Sequence, residues 1–107
     1  MAVQTTLGWI FKSSLSLVEM KKCLDVLGPK PWSDGDSERH GDYLGGKLTE
    51  EAVARIYKVG DGFIVNLRFF SMQGEPVTQL AVSKERLINQ VLPTVKARDV
   101  RPADPLD

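Results

Sequence analysis

The sequence predicts an α+β fold: a mainly antiparallel sheet of about four strands, two helices on one face, in the order β-α-loop-β-β-β-α. Three observations predict it. Period-2 alternation near the N-terminus reads as a strand, two amphipathic stretches with cap signals read as helices, and two apolar runs around Gly60-Asp61-Gly62 read as a β-hairpin. At 107 residues the chain can bury one core, so a single domain over 1–107 is expected without a metal or disulfide staple.

Each element has its own signal. Val3, Thr5, Leu7, Trp9 and Phe11 alternate with Gln4, Thr6, Gly8 and Lys12, the pattern of a half-buried strand. Ser16 and Glu19 have the Ser-x-x-Glu spacing in which each side chain satisfies an orphan backbone N–H at a helix start. Leu17, Met20, Leu24 and Leu27 follow at helical spacing and Gly28-Pro29 supplies a stop, which predicts a helix over 16–27. From Pro29 to Gly46 the chain is polar and rich in Gly and Pro, and 29–46 is expected to be an irregular acidic segment. Trp32, Tyr43 and Leu44 are apolar enough to pin its ends to the core.

Ala52–Val59 and Phe63–Phe70 then form the hairpin arms, with the Asp-Gly dipeptide favouring positive φ between them. The first arm also admits a helix capped by Thr49 with Glu50 and Glu51 in its first turn. The second, apolar at nearly every position, is expected to be a central strand. Gln73-Gly74-Glu75-Pro76 turns the chain into a third strand, Val77–Val82. Ser83 is placed to cap the last helix, with Val82 and Leu87 as its hydrophobic staple and Leu87, Ile88, Val91 and Leu92 as its buried stripe up to Pro93. Residues 96–107 have little apolar content and no period, and predict a partly mobile tail.

Composition excludes several classes. The 14 basic and 14 acidic residues cancel, which removes the attraction that drives most nucleic-acid binding, and 42% hydrophobic content is too high for a disordered chain. No long apolar run predicts a membrane span, and the N-terminus lacks the basic and apolar regions of a signal peptide. The lone Cys23 leaves no intramolecular disulfide to form, so a reducing cytoplasm is the expected compartment.

No catalytic signature stands out, and neither a catalytic residue, a cofactor nor a metal is expected. The single histidine, His40, leaves only Cys23 as a nucleophile to pair with, and nothing marks that thiol as activated. Asp34, Asp36 and Glu38 alternate as in a calcium loop, yet Arg39 and Gly45 stand where that loop needs Gly and Glu. No phosphate-binding glycine loop is present.

The informative feature is charge distribution. Residues 34–51 hold Asp34, Asp36, Glu38, Asp42, Glu50 and Glu51 against Arg39 and Lys47, a net −4, so the rest of the chain carries +4. Trp32 and Tyr43 lie among these acids, and carboxylates with rigid aromatic anchors suit docking on a basic protein. The same acids also suit a solvated loop, and the two aromatics also suit the core.

Around Trp32–Tyr43, Asp36-Ser37 followed by Gly41-Asp42-Tyr43 and then a hairpin resembles small bacterial immunity proteins of polymorphic-toxin and contact-dependent growth inhibition systems. The resemblance spans about 40 residues, and what it implies is a non-catalytic inhibitor that binds a cognate, nuclease-like toxin. Trp32, Asp34, Asp36, Glu38, Asp42 and Tyr43 are then the expected partner-binding residues. No nucleic acid or membrane partner is expected, and a homodimer is compatible with the sequence. The alternatives are a small ligand-binding or enzymatic domain with a pocket between sheet and helices, and an accessory subunit of a larger complex.

Overall fold

The computed structural model describes residues 3–27, 32–49, 52–71 and 76–106. Six strands, β1 (Val3–Lys12), β2 (Ser33–Ser37), β3 (Gly41–Thr49), β4 (Ala52–Val59), β5 (Gly62–Ser71) and β6 (Arg98–Ala103), form one sheet in the order β2-β3-β4-β5-β1-β6. Every neighbouring pair is antiparallel. The helices are α1 (Leu17–Leu27), α2 (Pro76–Arg86) and, after a π-helical turn at Leu87–Val91, the single turn α3 (Leu92–Thr94).

Alternation along the strands sorts the side chains onto two faces. Leu7, Trp9 and Phe11 of β1, Leu44 and Leu48 of β3, Ala52, Ala54 and Ile56 of β4 and Phe63, Val65, Leu67 and Phe69 of β5 form the core with the helices. Met20 and Leu24 of α1 and Leu87, Val91, Leu92 and Val95 close it from the helical side. The other face carries Thr6, Gly8 and Ile10, then Asn66 and Arg68, then Val53, Arg55 and Tyr57, then Tyr43, Gly45 and Lys47. It has no helical cover among the described elements.

The α+β class holds, while the strand count, the element order and several boundaries are corrected. Six strands replace the expected four. Residues 29–46, expected to be irregular, contain β2 and most of β3, and the expected mobile tail contains β6. Both β2 and β6 are edge strands, where half the backbone groups need no ladder partner and polar, Pro-containing sequence is tolerated. Val77–Val82, expected to be a strand, lies within α2. Pro76 there is the first helical residue, the position where a missing N–H removes no intrahelical bond. Ser83 consequently sits inside the helix, fully buried, with its hydroxyl 3.5 Å from that of Thr49 on β3. The strand reading of 52–59 holds, as β4.

Local signals explain the rest. Ser16 N–H donates to Glu19 Oε1 at 3.0 Å and Glu19 N–H to Ser16 Oγ at 3.2 Å, closing the expected capping box. The stripe of α1 is shorter than expected, for Leu27 is 51% exposed, and in the last helical stretch Ile88 is 43% exposed. Ser83, Leu87, Val91 and Val95 are all buried, and their four-residue spacing drifts about 40° per turn on a regular α-helix. The wider π turn brings that spacing back onto one face. The helix ends in a Schellman arrangement: Ala97 N–H donates to Leu92 O at 2.9 Å and Lys96 N–H to Pro93 O at 3.1 Å, with Lys96 at φ 55°. The β4–β5 turn is a two-residue loop whose positive φ of 53° falls on Gly60 rather than on the expected Asp-Gly dipeptide. The expected Gly28-Pro29 stop, Glu50 and Glu51, and the turn at 73–75 lie outside the described residues.

Candidate functional site

The β2–β3 hairpin is held by two aromatic rings lying over glycines on opposite faces. A Cβ at Gly46 of β3 would stand 2.4 Å from the Trp32 ring on the helical face, where Trp32 is 6% exposed. Across the sheet, a Cβ at Gly35 of β2 would stand 2.2 Å from the ring of its cross-strand partner Tyr43. Each glycine leaves the space its ring occupies, the same device by which aromatics compensate glycine in designed sheets. Asp25 of α1 fixes the hairpin entrance: its Oδ1 accepts Trp32 N–H at 2.7 Å and its Oδ2 accepts Lys21 Nζ at 2.7 Å. Lys21, then Trp32 N–H, holds the Asp25 carboxyl below its usual range, and Asp25 raises Lys21 in turn.

This frame sets the acids in register. Asp36 pairs with Asp42 across the β2–β3 ladder and Asp34 with Leu44, so the three carboxylates share the helical face at its free edge. Glu38 follows on the exposed turn, where Ser37 Oγ accepts His40 N–H at 3.3 Å. Among the described residues the only ion pair is Lys21–Asp25, so none of Asp34, Asp36 and Asp42 is salt-bridged. Directly opposed like charges in a ladder are about 4.5–5.5 Å apart at Cβ and destabilise it.

Of the residues singled out from sequence, Asp34, Asp36 and Asp42 are thus brought together, and Glu38 stands beside them. Trp32 is buried and acts as the fastener of the hairpin. Tyr43 is half-buried on the opposite face, 5.4 Å from the Tyr57 ring, with the Arg55 guanidinium 4.7 Å above its centroid. Cys23 is a half-buried free thiol, and His40 packs edge-on against Tyr57 at 5.7 Å, so no Cys–His pair is formed in the way a nucleophile needs. No group of His, Cys, Asp or Glu suited to a metal occurs among the described residues.

A second feature lies on the sheet face that no described helix covers. A hollow of about 180 Å³ is lined by Ser37, Val53, Arg55, Tyr57, Asn66, Arg68 and Leu106. Asn66 is 7% exposed and both ends of its amide are used: Nδ2 donates to Leu106 O at 2.7 Å and Oδ1 accepts Leu106 N–H at 3.1 Å. The side chain thereby imitates one more strand and ties the C-terminal segment down as a wall. Arg55 and Arg68 are diagonal neighbours, since Arg55 pairs with Asn66 and Val53 with Arg68. Sequence reading passed over them; their signal was the polar, period-2 interruption at Asn66 and Arg68 within an otherwise apolar strand.

No known protein-family profile and no curated protein matches the chain. No helix among the described residues is long and apolar enough to cross a membrane.

Proposed function

We propose that the chain is a non-catalytic protein-binding module of the immunity type, which docks the carboxylate row of its β2–β3 hairpin on the basic surface of a nuclease-like toxin. The observation that supports this reading is the Asp36–Asp42 pair. Two carboxylates face each other across an edge ladder, with Asp34 on the same face and no ion-pair partner for any of them among the described residues. Such an arrangement costs stability in the free protein and is relieved when a cationic surface covers it. Buried Trp32 holds the row rigid, which lowers the ordering cost of association.

The test is association kinetics with the protein encoded beside this gene, measured over a range of ionic strength. Replacing Asp36, Glu38 and Asp42 together by Ala is expected to slow association about tenfold or more at low salt and to flatten its salt dependence. Unchanged kinetics for that variant would sink the hairpin-docking reading.

A further inference from the structure

We propose that the hollow between Arg55 and Arg68, on the sheet face opposite the acidic row, binds a small dianion of the phosphomonoester kind. The site lies on the other face from the carboxylate row of the hairpin and is tested without it. Four features carry the assignment. First, Arg55 and Arg68 are exposed diagonal neighbours that line one hollow and make no ion pair among the described residues. Two guanidiniums lining one hollow without a carboxylate partner leave their hydrogen-bond forks for an oxyanion, which can accept from both.

Second, the described strand positions of β1, β3, β4 and β5 that point to this face include Arg55, Arg68 and Lys47 and not one carboxylate. Third, one cation and the wall of the hollow are held in place. Arg55 lies over the Tyr43 ring at 4.7 Å, and the wall at Leu106 is fixed by both Asn66 hydrogen bonds, so little ordering is left for a ligand to impose. Ser37 Oγ accepts His40 N–H and keeps its own proton to donate into the hollow.

Fourth, size and charge select the ligand. At about 180 Å³ the hollow is below the roughly 300–1,000 Å³ of sites that enclose drug-sized molecules, so what it can enclose is an anion of few heavy atoms. Two fixed positive charges favour a dianion over a carboxylate, which neutralises only one.

The probe is inorganic phosphate, titrated into isotopically labelled protein at constant ionic strength and followed by NMR at the Leu106 amide and the Asn66 side-chain amide. The expected result is saturable shifts at both, with a Kd of about 1 mM or below. Acetate is expected to bind more weakly, and chloride to shift neither signal. Arg55→Gln with Arg68→Gln is expected to weaken phosphate at least tenfold, with the Lys versions restoring part of the affinity; both positions are exposed, and circular dichroism checks the fold. Shifts that chloride reproduces, or a double variant that titrates like the parent, would overturn the proposal. So would a single-stranded oligonucleotide that shifts Tyr43 and Lys47 across the face while inorganic phosphate shifts nothing, an outcome that assigns the face to nucleic acid.

Discussion

Replacing Gly46 by Ala drives a methyl group into the Trp32 indole. The new Cβ would stand 2.4, 2.5 and 2.9 Å from three ring atoms, about 1 Å closer than ordinary contact, and Trp32 is 6% exposed with its backbone N–H tied to Asp25. Overpacking of this kind costs about 1–3 kcal/mol, and full expulsion of the ring, some 150–250 Å² of buried surface, would forfeit about 4–6 kcal/mol. Against this, Ala in a strand gains about 0.5–1 kcal/mol over Gly through the unfolded chain, and Gly46 is not at positive φ. The clash wins, for a net loss of about 1–2 kcal/mol, or roughly 4–16 °C in melting temperature. Urea denaturation followed by circular dichroism measures it, a readout that survives the loss of either of the two tryptophans. The decisive comparison is a double-mutant cycle with Trp32→Ala, in which Gly46→Ala should become neutral or stabilising once the ring is gone. An equal cost with and without the indole would refute the account of the hairpin as ring over glycine.

Two further outcomes follow from local geometry. Lys96 ends the last helix at φ 55°, so Lys96→Gly should raise stability by about 1 kcal/mol, read as a higher urea midpoint; a loss would mean that the lysine side chain outweighs its backbone strain. Ser16 N–H, then its hydroxyl, holds Glu19 below its ordinary 4.5, and Lys21 with Trp32 N–H holds Asp25 below 3.8. Both carboxylates therefore contribute stability that is fully present above about pH 4.5 and is lost as pH falls through their lowered native values. The urea midpoint of the parent should drop with acid over that window, and Asp25→Asn should drop less steeply; parallel curves would remove Asp25 from the acid response.

How much of this was legible follows the range of the interactions involved. The Ser16–Glu19 box, the alternation of β1 and the two arms around Gly60 are local, and the sequence carries them openly because each is decided within a few residues. The acids at Asp34, Asp36 and Asp42 were visible as a cluster, but not their alignment, because parity along β2 and β3 depends on a strand pairing that the Gly-rich composition conceals. Val77–Val82 misled because Val77, Thr78 and Val82 are β-branched, while Val77, Leu80 and Ala81 stand at the i, i+3, i+4 spacing of the helix begun by Pro76. Arg98–Ala103 misled because an edge strand can be polar: pairing with β1 satisfies its backbone without any apolar signal in its side chains.

By itself, then, the sequence determined the α+β class, the capped first helix, the central hairpin and a neutral total that divides into −4 over residues 34–51 and +4 elsewhere. Only the tertiary structure decided that Asp36 and Asp42 oppose each other on an edge, that Trp32 and Tyr43 lie on opposite faces, and that Arg55 and Arg68 share a hollow walled by Leu106. The reason is register. Residues far apart in the chain become neighbours only when strand pairing fixes which of two faces each side chain takes, and a shift of one residue would send every one of them to the other side.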